Sequence, residues 1–134
     1  MKPNVSPPTF DPGSAALFLD FDGTLVEFAS EPSSVEVSAS LRQLLVCIAE
    51  RCDGALALVS GRSIESLSAL LAPLSLPYAG LHGLERQTAA GVIERFSPDH
   101  TQLVTPILQR FNFFAATRPG LLVEDKGLAV ALHY

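Results

Sequence analysis

The chain has 134 residues, 48% of them hydrophobic and 17% charged, and this composition predicts a packed globular core. Its formal net charge is −5 and its basic residues are not clustered, which argues against nucleic acid as a partner. No stretch is long and apolar enough to span a bilayer, and the first residues lack the apolar segment of a signal peptide. We therefore expect a cytoplasmic protein that does not use a membrane as a partner.

A buried strand that ends in two aspartates is the first predicted element. Residues 1–14 are proline-rich and are expected to form a flexible leader. The apolar run of residues 16–19 then stops at Asp20 and Asp22, which predicts a strand buried on both faces with carboxylates at its end. Side chains alternate along a strand, so we expect Asp20 and Asp22 on one face and Phe21 on the other.

Two neighbouring carboxylates need a positive partner. Asp20 and Asp22 repel each other unless a cation lies between them. Carboxylate oxygens without a nearby histidine or thiolate suit a hard cation, and Mg²⁺ takes one or two protein carboxylates together with substrate phosphate oxygens. Gly23 permits a sharp turn, and Thr24 adds a hydroxyl and an amide at the same end. The stretch therefore indicates a magnesium site.

The next elements follow in the order typical of a parallel sheet. An amphipathic helix is predicted from Ser38 or Ser40 to Asp53, a second buried strand at residues 55–59, and another helix at residues 63–71. The order strand, helix, strand, helix predicts parallel strands with right-handed crossovers. Such sheets bind their ligands at the carboxyl ends of the strands.

The second strand brings Ser60, Gly61 and Arg62 to that edge. The Ser60 hydroxyl and the amides of Gly61 and Arg62 can donate hydrogen bonds to a phosphate group at a helix N-terminus. Together with Thr24, Ser60 and Gly61 are the candidate phosphate-binding residues. The alternative is that this triplet only caps the following helix.

A third short strand is predicted at residues 76–79, and His82 follows it in a glycine-flanked turn. His82 can be a ligand contact, a hinge residue or a plain turn residue, and the last two interpretations are favoured. Residues 85–88 and 92–96 flank a turn at residues 89–91 and are interpreted as a change from helical spacing to the period of two of strands, which predicts a hairpin.

The appearance of this hairpin pattern is taken as a domain boundary. We predict the N-terminal part of a core domain at residues 15–83 and a partial second domain at residues 84–134. The second domain is expected to contain a hairpin within residues 121–133 and a helical segment over residues 97–118. This segment is either one helix kinked at Pro106, which is favoured, or a short first turn followed by a second helix with Thr105 as its cap and Pro106 at its first position.

The motif DFDGTL at residues 20–25 resembles the first motif of the haloacid-dehalogenase-like (HAD) phosphatases. The resemblance implies a Rossmann-like parallel sheet with a cap, so the predicted class is α/β, with an incomplete HAD-like core and the start of an α+β cap. It implies that Asp20 attacks phosphorus and becomes an aspartyl phosphate, while Asp22 protonates the leaving oxygen and later activates water. It also implies Mg²⁺ bound by the Asp20 carboxylate and the Asp22 main-chain carbonyl, and a phosphate contact from Ser60.

A second resemblance narrows the range of candidate substrates. The segments GLHGLER and VEDKGLAVALHY are similar to those of trehalose-6-phosphate phosphatases, which implies hydrolysis of trehalose 6-phosphate. The Glu and Lys that bind the trehalose hydroxyls in that family match Glu124 and Lys126. Charged groups bind hydroxyls through charge-assisted hydrogen bonds and reject analogues that leave them unpaired. The alternative is a solvated turn with a surface ion pair.

The resemblance also implies groups that this sequence does not contain. Members of the family use a later core lysine and a later acidic pair, whereas the lysines here are Lys2 and Lys126. We therefore expect a truncated chain that hydrolyses little or no trehalose 6-phosphate alone, because phosphoryl transfer depends on electrostatic stabilisation. An incomplete parallel sheet is also expected to leave an open edge through which chains can associate.

Two other functions remain open at this point. The first is a HAD phosphatase that acts on another phosphomonoester, such as sucrose phosphate or phosphoglycolate. The second is a truncated, non-catalytic module that binds Mg²⁺ or phosphate.

Overall fold

The structure, a computed structural model, describes residues 9–29, 34–96 and 101–134. In chain order its elements are β1 (Leu17–Asp20), α1 (Ala39–Arg51), β2 (Leu56–Val59), α2 (Ile64–Leu71), β3 (Tyr78–Gly80), β4 (Glu85–Gln87), β5 (Ile93–Arg95), α3 (Thr101–Ala115), β6 (Leu122–Asp125) and β7 (Val130–His133). The first eight residues of the predicted leader and the helix-start signal at residues 97–99 lie outside the described residues.

The larger sheet has the strand order β1-β2-β3-β4-β5. Its first three strands are parallel, with Leu17 opposite Leu56 and Leu58 opposite Tyr78, and α1 and α2 provide the two predicted crossovers. The hairpin β4–β5 is also present as predicted, but it pairs antiparallel with β3 and so extends the same sheet. The sheet thus continues across residue 84, and the domain division placed there stays a prediction.

Both crossover helices are capped by serines, and of the two serines predicted as possible caps of α1 the structure uses Ser38. The Ser38 hydroxyl accepts a hydrogen bond from the Leu41 amide (3.1 Å), and the Ser63 hydroxyl accepts one from the Ser66 amide (3.2 Å). Each bond satisfies one of the amides that a helix leaves without an internal partner. The two helices are also joined to each other, because the Arg42 guanidinium donates to the carbonyls of Val37 and Leu70, at 2.8 Å each.

The hydrophobic core lies on one face of the parallel strands, so the prediction of strands buried on both faces is wrong. Phe18 of β1 is 71% exposed and Val59 of β2 is 37% exposed, on the face opposite to the core. An apolar run does not reveal whether both faces are covered, because the covering groups come from elsewhere in the chain. The most deeply buried members of the core are Phe21, Leu45, Leu56, Leu58, Ile64, Leu67, Leu71 and Tyr78. Full burial of one such side chain stabilises the fold by about 1.5–3 kcal/mol.

The C-terminal part of the chain forms a second, two-stranded sheet. Strands β6 and β7 are antiparallel, with Val123 opposite Leu132, and α3 packs against both. Helix α3 is continuous through Pro106, as the prediction of a single segment requires. With 15 residues it is the longest helix, and none of the helices in the described ranges has the length and apolarity to cross a bilayer.

Candidate active site

The two aspartates of the first motif lie at the carboxyl end of β1. Asp20 is the last residue of the strand, Phe21 is fully buried in the core, and Asp22 lies one residue further along. The alternation expected from strand geometry is therefore observed, since Asp20 and Asp22 line the same cleft. Gly23, with φ of +79°, reverses the chain, and its amide donates to the Val26 carbonyl at 2.8 Å.

Asp20 is held by one hydrogen bond. The Thr24 hydroxyl donates to its Oδ2 at 3.0 Å, and Oδ1 accepts none from the described part of the chain. Asp20 is exposed at the cleft, so this second oxygen is accessible to a ligand. The Thr24 hydroxyl contacts the carboxylate, and the phosphate contact expected of it stays a prediction.

Asp22 makes the strongest ionic contact of the cleft, with Arg62. The Arg62 Nε donates to Asp22 Oδ2 at 2.9 Å, and the Arg62 Nη2 donates to Asp22 Oδ1 at 2.8 Å. The two side chains are 28% and 10% exposed, so solvent screens this pair only partly. Sequence reasoning gave Arg62 no side-chain role. The available signal was an arginine three residues after the end of the neighbouring strand, at the same edge of the sheet.

In the loop after β2, predicted to bind phosphate, two of the polar groups make hydrogen bonds within the protein. Ser60 is 4% exposed, and its hydroxyl accepts a hydrogen bond from the Arg62 amide at 3.1 Å. The first amide of α2, that of Ile64, donates to the buried Glu85 carboxylate at 3.0 Å. The Arg62 amide thus has an internal acceptor, and its expected donation to a phosphate group stays a prediction. The Gly61 amide makes no hydrogen bond within the described residues.

The turn between β6 and β7 reaches this loop. The Lys126 ammonium donates to the Gly61 carbonyl at 3.0 Å and lies 3.5 Å from the Glu124 carboxylate. Glu124 also contacts His133 Nε2 at 2.9 Å. The ion pair of the alternative interpretation is therefore present, and Asp125 and Gly127 of the turn are exposed, but the Lys126 side chain itself is only 17% exposed. Sequence reasoning missed His133, whose position beside Glu124 follows from the pairing of β6 with β7.

The turn after β3 has an unusual backbone. Leu81, His82 and Gly83 have φ values of +50°, +56° and +94°. This left-handed conformation costs a residue other than glycine of order 1–3 kcal/mol. Two hydrogen bonds stabilise the turn, from the Leu81 amide to the Arg62 carbonyl (2.9 Å) and from the His82 amide to the Ser60 carbonyl (3.1 Å). The turn is therefore attached to the loop that follows β2.

Together these elements enclose a cleft of about 380 Å³ between the two sheets, within the range of small-molecule sites. Its lining residues are Asp20, Asp22, Phe28, Ala29, Ser60, Gly61, Arg62, His82, Glu124, Lys126 and His133. All the predicted site residues except Thr24 line it, and Thr24 contacts one that does. The cleft thus has a carboxylate end at β1 and a mixed-charge end at the β6–β7 turn.

The comparisons with known proteins agree with one another. Residues 18–134 match a protein family described as trehalose-phosphatase. A probable trehalose-phosphate phosphatase of Sinorhizobium fredii is 40% identical over 121 residues, and a trehalose-6-phosphate phosphatase of Escherichia coli is 42% identical over 120 residues. Both alignments cover 89% of this chain, which spans only 44% of the length of each relative.

Solved structures give the same result for the fold. A trehalose-6-phosphate phosphatase related protein superposes with a TM-score of 0.75 at 30% identity, over 89% of this chain and 51% of that protein. The C-terminal domain of Candida albicans trehalose-6-phosphate phosphatase superposes with a TM-score of 0.73 at 21% identity, over 87% of this chain and 41% of that domain. The predicted α/β fold class is confirmed.

Proposed function

The chain belongs to the trehalose-phosphatase family, and from this membership we propose that its cleft hydrolyses trehalose 6-phosphate to trehalose and phosphate through an aspartyl-phosphate intermediate. One observation carries the proposal. Asp20 and Asp22, at the end of β1, line the same cleft as Glu124 and Lys126, from the β6–β7 turn. A sugar phosphate bound there has its phosphorus at the aspartates and its sugar at the turn.

Asp20 is the nucleophile. Its Oδ1 attacks phosphorus while Thr24 keeps the other carboxylate oxygen in place, and the bond from phosphorus to the sugar oxygen breaks. The sugar oxygen leaves with a proton from Asp22. In the second step Asp22 takes a proton from water, whose oxygen attacks phosphorus and releases Asp20 and phosphate. The proton count is restored after each cycle, because Asp22 regains the proton that it gave to the sugar.

Asp22 must be oriented for both proton transfers. Arg62 binds both oxygens of its carboxylate, which restricts rotation about the side-chain bonds. The pair holds the ionised carboxylate, which is the form that takes the proton from water in the second step, and the protonated form needed in the first step gives up one of these two bonds. We assign Arg62 as the positioning residue for Asp22.

The donor set at β1 suits magnesium. The Asp20 carboxylate and the Asp22 main-chain carbonyl are hard oxygen ligands, and Mg²⁺ takes few protein ligands when a phosphate completes its coordination. Bound there, Mg²⁺ would neutralise charge on the phosphoryl group.

Glu124 and Lys126 bind the sugar in this proposal. The carboxylate accepts hydrogen bonds from sugar hydroxyls and the ammonium donates to them, while His133 and the Gly61 carbonyl hold the two groups in place. A substrate without matching hydroxyls leaves these partly buried groups unpaired, and this penalty provides the selectivity.

Phosphate release by the complete gene product tests the proposal. With Mg²⁺ present, trehalose 6-phosphate should be hydrolysed with a higher kcat/KM than sucrose 6-phosphate, glucose 6-phosphate or phosphoglycolate, and Asp20→Asn should abolish the activity. The 134-residue chain, measured beside it, should release little phosphate.

A better substrate among the other phosphate esters would replace trehalose 6-phosphate in the proposal. Activity that survives Asp20→Asn would contradict the aspartyl-phosphate mechanism. Binding of phosphate without hydrolysis of any ester would favour the non-catalytic module.

A further inference from the structure

We propose that His82 is a substrate-binding residue whose imidazole hydrogen-bonds to an oxygen of the sugar unit that carries the phosphate. This inference rests on the proposed function and names a contact beyond it. It places His82 between the phosphate end of the cleft and the pair Glu124 and Lys126.

The ring of His82 lies in the cleft without a protein partner. His82 is exposed, and within the described residues neither ring nitrogen makes a hydrogen bond or an ion pair. A Cβ at Gly61 would lie 2.8 Å from its Nε2 and 2.9 Å from its Cε1, so the ring packs directly on this glycine. With a side chain at position 61, the ring of His82 would have to shift from this place. The loop after β2 thus lies against an imidazole whose two nitrogens make no hydrogen bond within the described residues.

The backbone that carries His82 is held in a conformation that its own residue type disfavours. Glycine would adopt φ of +56° at lower cost, yet the chain has histidine there. The amides of Leu81 and His82 are tied to the same loop that presents Ser60 and Arg62 to the cleft. Strained positions of this kind cluster at ligand sites, where the surrounding structure stabilises them for function.

The position of the ring indicates what it binds. The ring of His82 lies where a Cβ on Gly61 would point, and Lys126 donates to the Gly61 carbonyl, so the imidazole and the ammonium lie next to the same residue. A ligand that joins Asp20 to Lys126 passes this point. The part of a sugar phosphate at that place is the sugar ring next to the ester, whose oxygens can accept from or donate to an imidazole nitrogen.

Histidine-ring NMR of the complete gene product tests the contact directly. The protein is labelled with ¹⁵N-histidine and carries Asp20→Asn, so that the ligand is not consumed. Its His82 signals are identified by their loss in an added His82→Gly substitution. Trehalose 6-phosphate should shift the His82 ring signals saturably, whereas inorganic phosphate should shift them far less. An unchanged His82 signal at saturating trehalose 6-phosphate, or a full shift with inorganic phosphate alone, would overturn the proposal.

Kinetics of two variants separate binding from folding. His82→Gly removes the ring but suits the positive φ, so its Tm should change little, and the KM for trehalose 6-phosphate should rise about three- to tenfold. Hydrolysis of p-nitrophenyl phosphate, which lacks the sugar, should be affected much less than hydrolysis of trehalose 6-phosphate. His82→Asn tolerates the same backbone and keeps a hydrogen-bonding group, so it should recover part of the affinity. Equal losses with both substrates, or no loss in His82→Gly, would refute the contact.

The two proposals fail in different ways. If wild-type protein hydrolyses trehalose 6-phosphate and His82 does not respond, only the His82 contact is wrong. If His82 responds to trehalose 6-phosphate and the wild-type protein releases no phosphate, the contact stands and the hydrolase function is wrong.

Discussion

The ion pair between Arg62 and Asp22 should couple the two side chains by about 1–2 kcal/mol. Hydrogen bonds to charged groups contribute about 1.5–3 kcal/mol, and pairs in full solvent only about 0–1 kcal/mol. Because the two side chains are 10% and 28% exposed, the expected value lies between these limits. Removing Arg62 alone would overstate the coupling, since its guanidinium also lies 5.7 Å from the centre of the Phe21 ring. A double-mutant cycle with Arg62→Met and Asp22→Ala isolates the pair.

The chain contains a matched control for this measurement. Arg86 and Glu94 face each other across β4 and β5 at 2.6 Å, a shorter contact than the 2.8 Å between Arg62 and Asp22. Their side chains are 56% and 45% exposed, so screening should reduce their coupling to below about 0.5 kcal/mol. Burial thus predicts the stronger coupling for Arg62 and Asp22, whereas distance alone predicts it for Arg86 and Glu94.

Equilibrium unfolding of the 134-residue chain in urea provides the free energies for both cycles. We expect the coupling of Arg62 and Asp22 to exceed that of Arg86 and Glu94 by at least about 0.5 kcal/mol. Equal couplings, or a larger one for the exposed pair, would refute the argument from burial. In the complete gene product, Arg62→Met should also lower kcat by about 10- to 100-fold, because Asp22 loses its orientation.

Three further predictions concern single positions. Burial raises the pKa of Tyr78 in the folded chain, so the stability that its protonated form contributes is complete below about pH 10 and is lost as pH rises through the folded-state pKa. Raising the pH above 10 should therefore lower the free energy of unfolding, measured in urea, more for the wild type than for Tyr78→Phe. Tyr134→Phe, at a fully exposed position, should follow the wild type. Glu85→Ala leaves the first amide of α2 unpaired and should lower the free energy of unfolding by about 1–3 kcal/mol; a change below about 0.5 kcal/mol would contradict this. Lys126→Met removes the bond to the Gly61 carbonyl and should raise the KM for trehalose 6-phosphate with p-nitrophenyl phosphate hydrolysis unchanged, and equal effects on both substrates would count against a sugar contact.

Local patterns were sufficient for most of the secondary structure. Ser38 and Ser63 cap the helices that follow them, and both hairpins lie where alternation predicted them. The third strand begins at Tyr78, two residues later than predicted, because pairing with β2 decides where a short strand starts. Such features depend on neighbouring residues along the chain, and the amino-acid order therefore contains the information for them.

The position of the hairpin β4–β5 shows a limit of this reasoning. Alternation correctly indicated a hairpin, but it could not tell which sheet the hairpin joins. That choice depends on the edge of β3, where Tyr78 pairs with Gln87, and on the bond from the buried Glu85 to α2. Partners distant in sequence decide it, and one strand's pattern does not identify them.

The sequence by itself determined the α/β class, the two aspartates at the end of β1 and the family motif. Only the tertiary structure decided what surrounds them: Arg62 on Asp22, His82 on Gly61, and Lys126 across the cleft on the same glycine. It also decided that Phe18 faces away from the core. The physical reason is that strand and helix patterns arise from interactions over a few residues. Ion pairs, close packing and burial depend on which distant side chains the fold brings together.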